Sequence, residues 1–259
     1  MESQVETQGY GKVYEASPPV QGTPFLILCE HASNRVPACL NDLGLSRDVL
    51  QSHVAWDPGA LGVARALRKR LGAVLINSNV SRLVYDCNRP PEVDSAVPER
   101  SEVYDIPGNV NLRRSARAER IKNVYDPFVK AVTDEVRKTE NDLELLVTIH
   151  SFTPVYHGKT RAVELGILHG RDDRFSKAMM ALKPEELPLD TRLNEPYAAR
   201  DGVTHSIDLH GTDNGLLNVM IEIRNDLIKT SAEQDDMAAL LSPWITKTLD
   251  HLRQSGVWA

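Results

Sequence analysis

Cysteine is scarce in this chain, with three residues, Cys29, Cys39 and Cys87, among 259. The number is odd and no two are spaced as a metal knuckle requires. That excludes a disulfide framework and makes a reducing cytoplasm the expected setting. Positive charge is not in excess. A net charge of −6 leaves no basic footprint for nucleic acid and argues against an anionic membrane surface as partner. No apolar run approaches the about 20 residues of a membrane span. Residues 1–20 have no charged segment followed by an apolar one, so no secretory signal is expected. There is no Gly-x-Gly-x-x-Gly after a strand, no Walker-type loop and no Gly-x-Ser-x-Gly elbow. Cofactor dehydrogenases, nucleoside triphosphatases and serine hydrolases therefore lose ground.

Against these absences, 41% hydrophobic and 25% charged residues suit a soluble globular domain. Short apolar runs, "TPFLILCE" (23–30), "AVLINSN" (73–79), "LELLVTIH" (143–150), "VELGILHG" (163–170) and "LLNVMIEIRND" (216–226), are predicted as strands. A helix is predicted over 57–72. Ala60, Leu61, Ala64, Leu67 and Leu71 fall at helical spacing there, with Asp57 as cap, Pro58 in the first turn and Gly72 at the stop. Further helices are predicted over 116–139, kinked by Pro127, and over 173–183. A last one opens with a Ser231/Gln234 capping box and is bent or split by Pro243. Residues 90–111 read as a long surface loop of the kind used for lids, and 1–22 as a surface arm. The sum is a single α/β domain over 1–259, a mostly parallel (mixed) sheet with helices on both faces. Its ligand crevice belongs at the carboxyl ends of the strands.

Three apolar strands carry ionisable groups at or near those ends: His31 in "LILCEHASNRVP", His150, and Glu222. If the strands are parallel neighbours, the three converge. Two imidazoles and a carboxylate make a zinc ligand set with a fourth position for water, whose pKa the metal lowers to about 7. A separate Glu could move the water's proton to a leaving amine. Each residue also has a plainer explanation: a hydrogen-bonded histidine, Asp57 as a helix cap, Glu222 in a salt bridge with Arg224 two residues on. Arg82, Asp86, Asn88 and Arg89 crowd "SRLVYDCNRP", a set that either holds a substrate carboxylate or holds the loop to its own acids. His210, preferred over His205, could face the same crevice. Cys29, two residues before His31, leaves a thiol mechanism as a minor alternative.

The pieces "EHASNRVP", "HVAWDPGA", "SRLVYDCNRP", "IPGN", "IHSFTP", "DGVTHSIDLHG" and "IEIRNDLI" resemble the N-formylglutamate amidohydrolase family, in that family's order, from about residue 24 to 230. The resemblance implies a zinc-carboxypeptidase-like (phosphorylase/hydrolase-like) fold and one zinc ion on His31 and His150. It also implies carboxylate recognition by Asn88 and Arg89, catalysis by Glu222, and further anion contacts from Arg82 and Arg224. The wider group has a Glu three residues after its first histidine, where this chain has Asn34. Asp57 is therefore taken as the carboxylate ligand, with Glu30 in reserve. Family members often carry a His where "YDPFVKA" has Val129, a change that bears on the substrate. The implied reaction is hydrolysis of N-formyl-L-glutamate, or a related N-acyl amino acid, to formate and glutamate, a step of histidine degradation. Arg82 or His210 would steady the oxyanion. Rival readings are the same machinery on another N-acyl or peptide substrate, and a non-catalytic carboxylate-binding protein.

Overall fold

The computed structural model describes residues 9–18, 20–138 and 142–256. Eleven strands occur among them: β1 (Tyr14–Ala16), β2 (Phe25–Cys29), β3 (Val74–Ser78), β4 (Arg100–Ser101), β5 (Tyr104–Asp105), β6 (Leu145–Phe152), β7 (Val155–Tyr156), β8 (Lys159–Thr160), β9 (Leu165–Leu168), β10 (Thr191–Leu193) and β11 (Leu217–Arg224). The α-helices are α1 (Arg47–Gln51), α2 (Ala60–Leu71), α3 (Arg114–Arg120), α4 (Asp126–Lys138), α5 (Arg174–Ala181) and α6 (Ser231–Ser255). Seven strands form one sheet in the order β1-β3-β2-β6-β11-β9-β10. Its centre, β3-β2-β6-β11, is parallel, while β1 runs against β3 and the parallel pair β9-β10 runs against β11, so the sheet is mixed. Part of the expected N-terminal arm is thus the edge strand β1; residues 1–8 and 19 lie outside the described residues.

Strand alternation sorts the core. Phe25, Ile27, Leu145, Val147, Ile149, Val219 and Ile221 point to one face, where α2, α5 and α6 cover them. Leu26, Leu28, Leu146 and Met220 point to the other, into a second apolar cluster with Phe128 and Val132 of α4. Each such side chain, fully buried, contributes about 1.5–3 kcal/mol. His150 and Glu222 alternate onto this second face, and the parallel register sets them opposite each other. Sheet order and a period of two therefore bring distant polar residues together at the strand ends.

Several local expectations shift. The helix expected at Asp57 starts later. Its N-cap is Gly59 at φ 84°, where a Cβ would lie 2.4 Å from the Ile228 carbonyl oxygen. The expected helix over 116–139 is α3 and α4 joined by a π-turn, Ile121–Tyr125, just before Pro127. Proline clashes with the carbonyl four residues back, and the wider turn absorbs that clash; residue 139 lies outside the described part. The final capping box is Thr230 with Glu233, one residue earlier than expected, and α6 runs unbroken through Pro243. The 90–111 loop is less irregular than expected, carrying the β4–β5 hairpin and two short 3-10 turns.

Candidate active site

At the carboxyl ends of β2 and β6 the chain turns polar, and what it places there is buried. His31, Asp57 and His150 are 1–3% exposed. His31 follows β2, and its carbonyl accepts a hydrogen bond from the Asp57 amide at 2.9 Å, which pins the loop before α2 to the strand end. The Asp57 side chain does not cap α2. Its Oδ2 lies 3.2 Å from His31 Nδ1 and 2.9 Å from His150 Nδ1, and accepts from the Ser151 amide at 3.3 Å. The two Nδ1 atoms are 3.1 Å apart.

The other ring nitrogens face carboxylates. His31 Nε2 lies 2.7 Å from Asp86 Oδ1. His150 Nε2 lies 3.2 Å from Glu30 Oε2, off the direction of a good hydrogen bond, which leaves both Glu30 oxygens buried without one. A proton on each Nε2 leaves two Nδ1 lone pairs and a carboxylate oxygen aimed at one point. Three acceptors at this spacing repel unless positive charge sits among them. Ligands about 2.1 Å from a tetrahedral ion are about 3.4 Å apart, close to the triangle found. An imidazole held through its far nitrogen by a carboxylate, as His31 is by Asp86, is the usual outer support of such an ion. His31, Asp57 and His150 can therefore hold a metal ion.

The electrostatics point the same way. Burial opposes charge on Asp57, yet His31 and His150 hold its carboxyl well below the usual range. Burial likewise opposes charge on His150, but Glu30 and Asp57 outweigh it and lift the imidazole well above its ordinary value. The pocket demands positive charge, which a proton or a cation can supply. Glu222 is different. It is 4% exposed and its side chain makes no hydrogen bond among the described residues, with Oε2 buried and unpartnered. Burial pushes its carboxyl up to about 7, near the operating point of a general base.

His31, Asp57 and Glu222 lie in the wall of a cavity of about 670 Å³, within the range that drug-sized ligands occupy, and His150 stands just behind that wall against His31 and Asp57. Arg82, Asn88 and Arg89 share that wall. Arg82 donates to Asp86 Oδ2 at 2.8 Å and Asp57 Oδ1 at 3.4 Å. Asn88 has both ends of its amide occupied: Nδ2 donates to the Val203 carbonyl at 2.6 Å and Oδ1 accepts from the Ser206 amide at 2.9 Å. It fastens the 203–206 segment, so of the expected pair Arg89 presents more free donors. Arg89 Nη1 donates to the Asn88 and Gly202 carbonyls.

Two expected site residues stand elsewhere. Arg224 does not reach the cavity; its guanidinium binds Asp226 at 2.7 Å and Glu164 at 3.1 Å. Alternation put it on the face of Glu222, but the backbone leaves the strand there and the side chain follows two nearby acids. His210 lies in a π-turn packed on β6 and β11, outside the cavity wall, and burial pulls its imidazole down to about 4. Glu30 is not among the converging ligand atoms and stands behind His150. Cys29 packs into the core on the α2 side, and burial drives its thiol well above its ordinary value, which removes it as a nucleophile. Sequence reasoning gave Asp86 no separate role, although it was visible in "YDCNRP". It passed over Arg161 and Tyr197, which no local pattern marks.

Fold and site together define an α/β protein in which a His-Asp-His cluster able to hold a cation lies beside a buried carboxylate with no side-chain partner among the described residues. The family model described as N-formylglutamate amidohydrolase matches residues 23–229. The chain belongs to that family, and with it to the amide hydrolases. A gene product of Agrobacterium tumefaciens has a crystal structure similar at TM-score 0.91, with 48% identity over 95% of this chain and 98% of that one. An N-formylglutamate amidohydrolase from Ralstonia eutropha is similar at TM-score 0.63 and 15% identity, over 94% of this chain and 99% of that one, and so shares the fold. No curated protein matches significantly. Among the described residues, no helix is long and apolar enough to cross a membrane.

Proposed function

We propose that the protein is a zinc-dependent amidohydrolase that cleaves N-formyl-L-glutamate to formate and glutamate. The observation that carries this reading is the trio of acceptor atoms on His31, Asp57 and His150, set next to an unpaired Glu222 in a cavity wall. A zinc ion held by those three would supply Lewis acidity, polarising the formyl carbonyl and acidifying a water. Glu222, as carboxylate, takes the proton of the attacking water. As carboxylic acid it returns that proton to the amide nitrogen as the C–N bond breaks. A carboxyl lifted to about 7 suits both roles at neutral pH. Arg82 keeps its guanidinium at the cavity wall by pairing with Asp57 and Asp86, and it steadies the developing oxyanion. Arg89 receives a substrate carboxylate, which fixes the amide over the reacting groups. His210 and Arg224 take no part.

The test joins metal analysis to turnover. Purified protein should contain about one equivalent of divalent metal, lose hydrolysis of N-formyl-L-glutamate on chelation and regain it with zinc. Full activity in metal-free protein would sink the proposal. One observation favours a second reading: the cavity extends outward to His53, Arg100, Glu102 and Tyr156, giving room beyond a formyl group. A panel of N-formyl, N-acetyl and longer N-acyl glutamates separates the two by which gives the highest kcat/KM.

A further inference from the structure

Among the arginines in the cavity wall, Arg161 is set apart by what surrounds it. Arg82 and Arg100 each pair with a carboxylate. Arg161, half-buried, pairs with none among the described residues. Three aromatic rings frame its guanidinium instead: Tyr156 at 4.5 Å, Tyr197 at 4.9 Å and Phe152 at 5.5 Å from the ring centroids. Nη1 donates to the Tyr197 hydroxyl at 3.0 Å and the Thr153 carbonyl at 3.4 Å, while Nε and Nη2 make no hydrogen bond among the described residues. Burial raises the Tyr197 hydroxyl to about 12, with Glu222 adding to the rise and Arg161 opposing it. Tyr197 thus lies in the fields of both the unpaired carboxylate and this guanidinium. A cation fixed by stacking, with donors left over, loses little freedom when it binds a planar anion.

We propose that Arg161 is a specificity-determining residue that holds the side-chain carboxylate of the substrate, while Arg89 holds the α-carboxylate. This rests on the amidohydrolase reading above. The two guanidiniums are the half-buried ones in this wall without a carboxylate partner, and a substrate with two carboxylates answers both. A structural staple between the β7–β8 hairpin and the Tyr197 segment would use the same ring contacts but would not discriminate between substrates.

The experiment compares N-formyl-L-glutamate with N-formyl-L-glutamine, which differ only in the distal carboxylate, on the metal-loaded protein. In Arg161→Met the ratio of their kcat/KM values should fall at least about 30-fold, mainly through KM for the acid. Arg161→Lys, which keeps charge without the fork, should fall in between, and it serves as the second variant if the methionine form is unfolded by circular dichroism. Calorimetry with glutarate and with butyrate makes the same comparison without turnover, so a failed deformylase reading shows as absent hydrolysis while the binding ratio still reports on Arg161. The proposal is overturned if these substitutions change neither ratio, including the case in which the wild type shows no preference for the acid.

Discussion

The floor of the cavity and its mouth are built on opposite plans. On the floor His31, Asp57, Asp86 and His150 are almost wholly buried, and each is held by two or more polar partners. At the mouth the β4–β5 and β7–β8 hairpins are two-residue pairings, and they carry Val103, Tyr104, Val155 and Tyr156, which are among the most exposed large apolar side chains of the described residues. Buried, mutually held charges are costly to disturb and keep their geometry. Exposed hairpins with few contacts are cheap to vary. Chemistry is therefore expected to fail abruptly when the floor is changed, whereas substrate choice should shift gradually when the mouth is changed.

The largest break comes from Glu222→Gln. Removing the base should lower kcat about 10²–10⁴-fold with metal content unchanged, as measured by turnover and elemental analysis of the same sample. A loss of metal in step with activity would mean Glu222 serves the ion. Next is Asp86→Asn, which leaves His31 in place but weakens its support from Nε2. Metal affinity should fall about 10–100-fold in a chelator competition, and unchanged affinity would show that Asp86 serves only Arg82.

A third test reads stability. Burial holds the Glu222 proton on up to about 7, above its ordinary value of 4.5. The folded state gains from that group below the ordinary value, and the gain is lost as pH rises through the folded one. In metal-free protein at pH 8, Glu222→Gln should therefore be more stable than the wild type, by about 1–3 kcal/mol, with the difference vanishing towards pH 4. Equal denaturation midpoints at both pH values would place the unpaired carboxylate in water.

The floor was largely legible in the sequence because it obeys strand rules. Apolar runs that end in His31 and His150, and Glu222 within another, are visible as text, and parallel neighbours must bring their ends together. What escaped depends on rotamers and on turns. Whether Asp57 caps a helix or faces two imidazoles turns on Gly59 and where α2 begins. Arg224 shares a strand face with Glu222 by alternation, yet two acids past the strand end capture it. Asn88 looks like a free donor until the 203–206 backbone, over a hundred residues away, occupies both of its ends. The β4–β5 part of the mouth was read as loop, and the β7–β8 hairpin drew no reading, because two-residue pairings leave no periodic signal. Arg161 had no signal at all, since its aromatic frame comes from Phe152 and Tyr156, both before the turn of the β7–β8 hairpin, and from the distant Tyr197.

The smallest expected effect lies at Glu102, which joins the two hairpins. At the turn of β4–β5, with φ 51°, it accepts from His53 Nε2 at 2.7 Å and from the His157 amide, at the turn of β7–β8, at 3.2 Å. Although desolvation opposes it, the His157 amide and His53 pull its carboxyl below the usual range. One partly exposed carboxylate thus ties together the two short hairpins of the cavity rim. Glu102→Ala should cost only about 0.5–1 kcal/mol of stability, because exposed pairs contribute little. It should raise KM a few-fold, about 3- to 10-fold, for the longer N-acyl substrates that reach the rim, and leave kcat for N-formyl-L-glutamate within about twofold. Steady-state kinetics on the acyl series reads both. Should kcat for the formyl substrate fall as far as in Glu222→Gln, the rim would be part of the catalytic assembly, and the division between a rigid floor and an adjustable mouth would not hold.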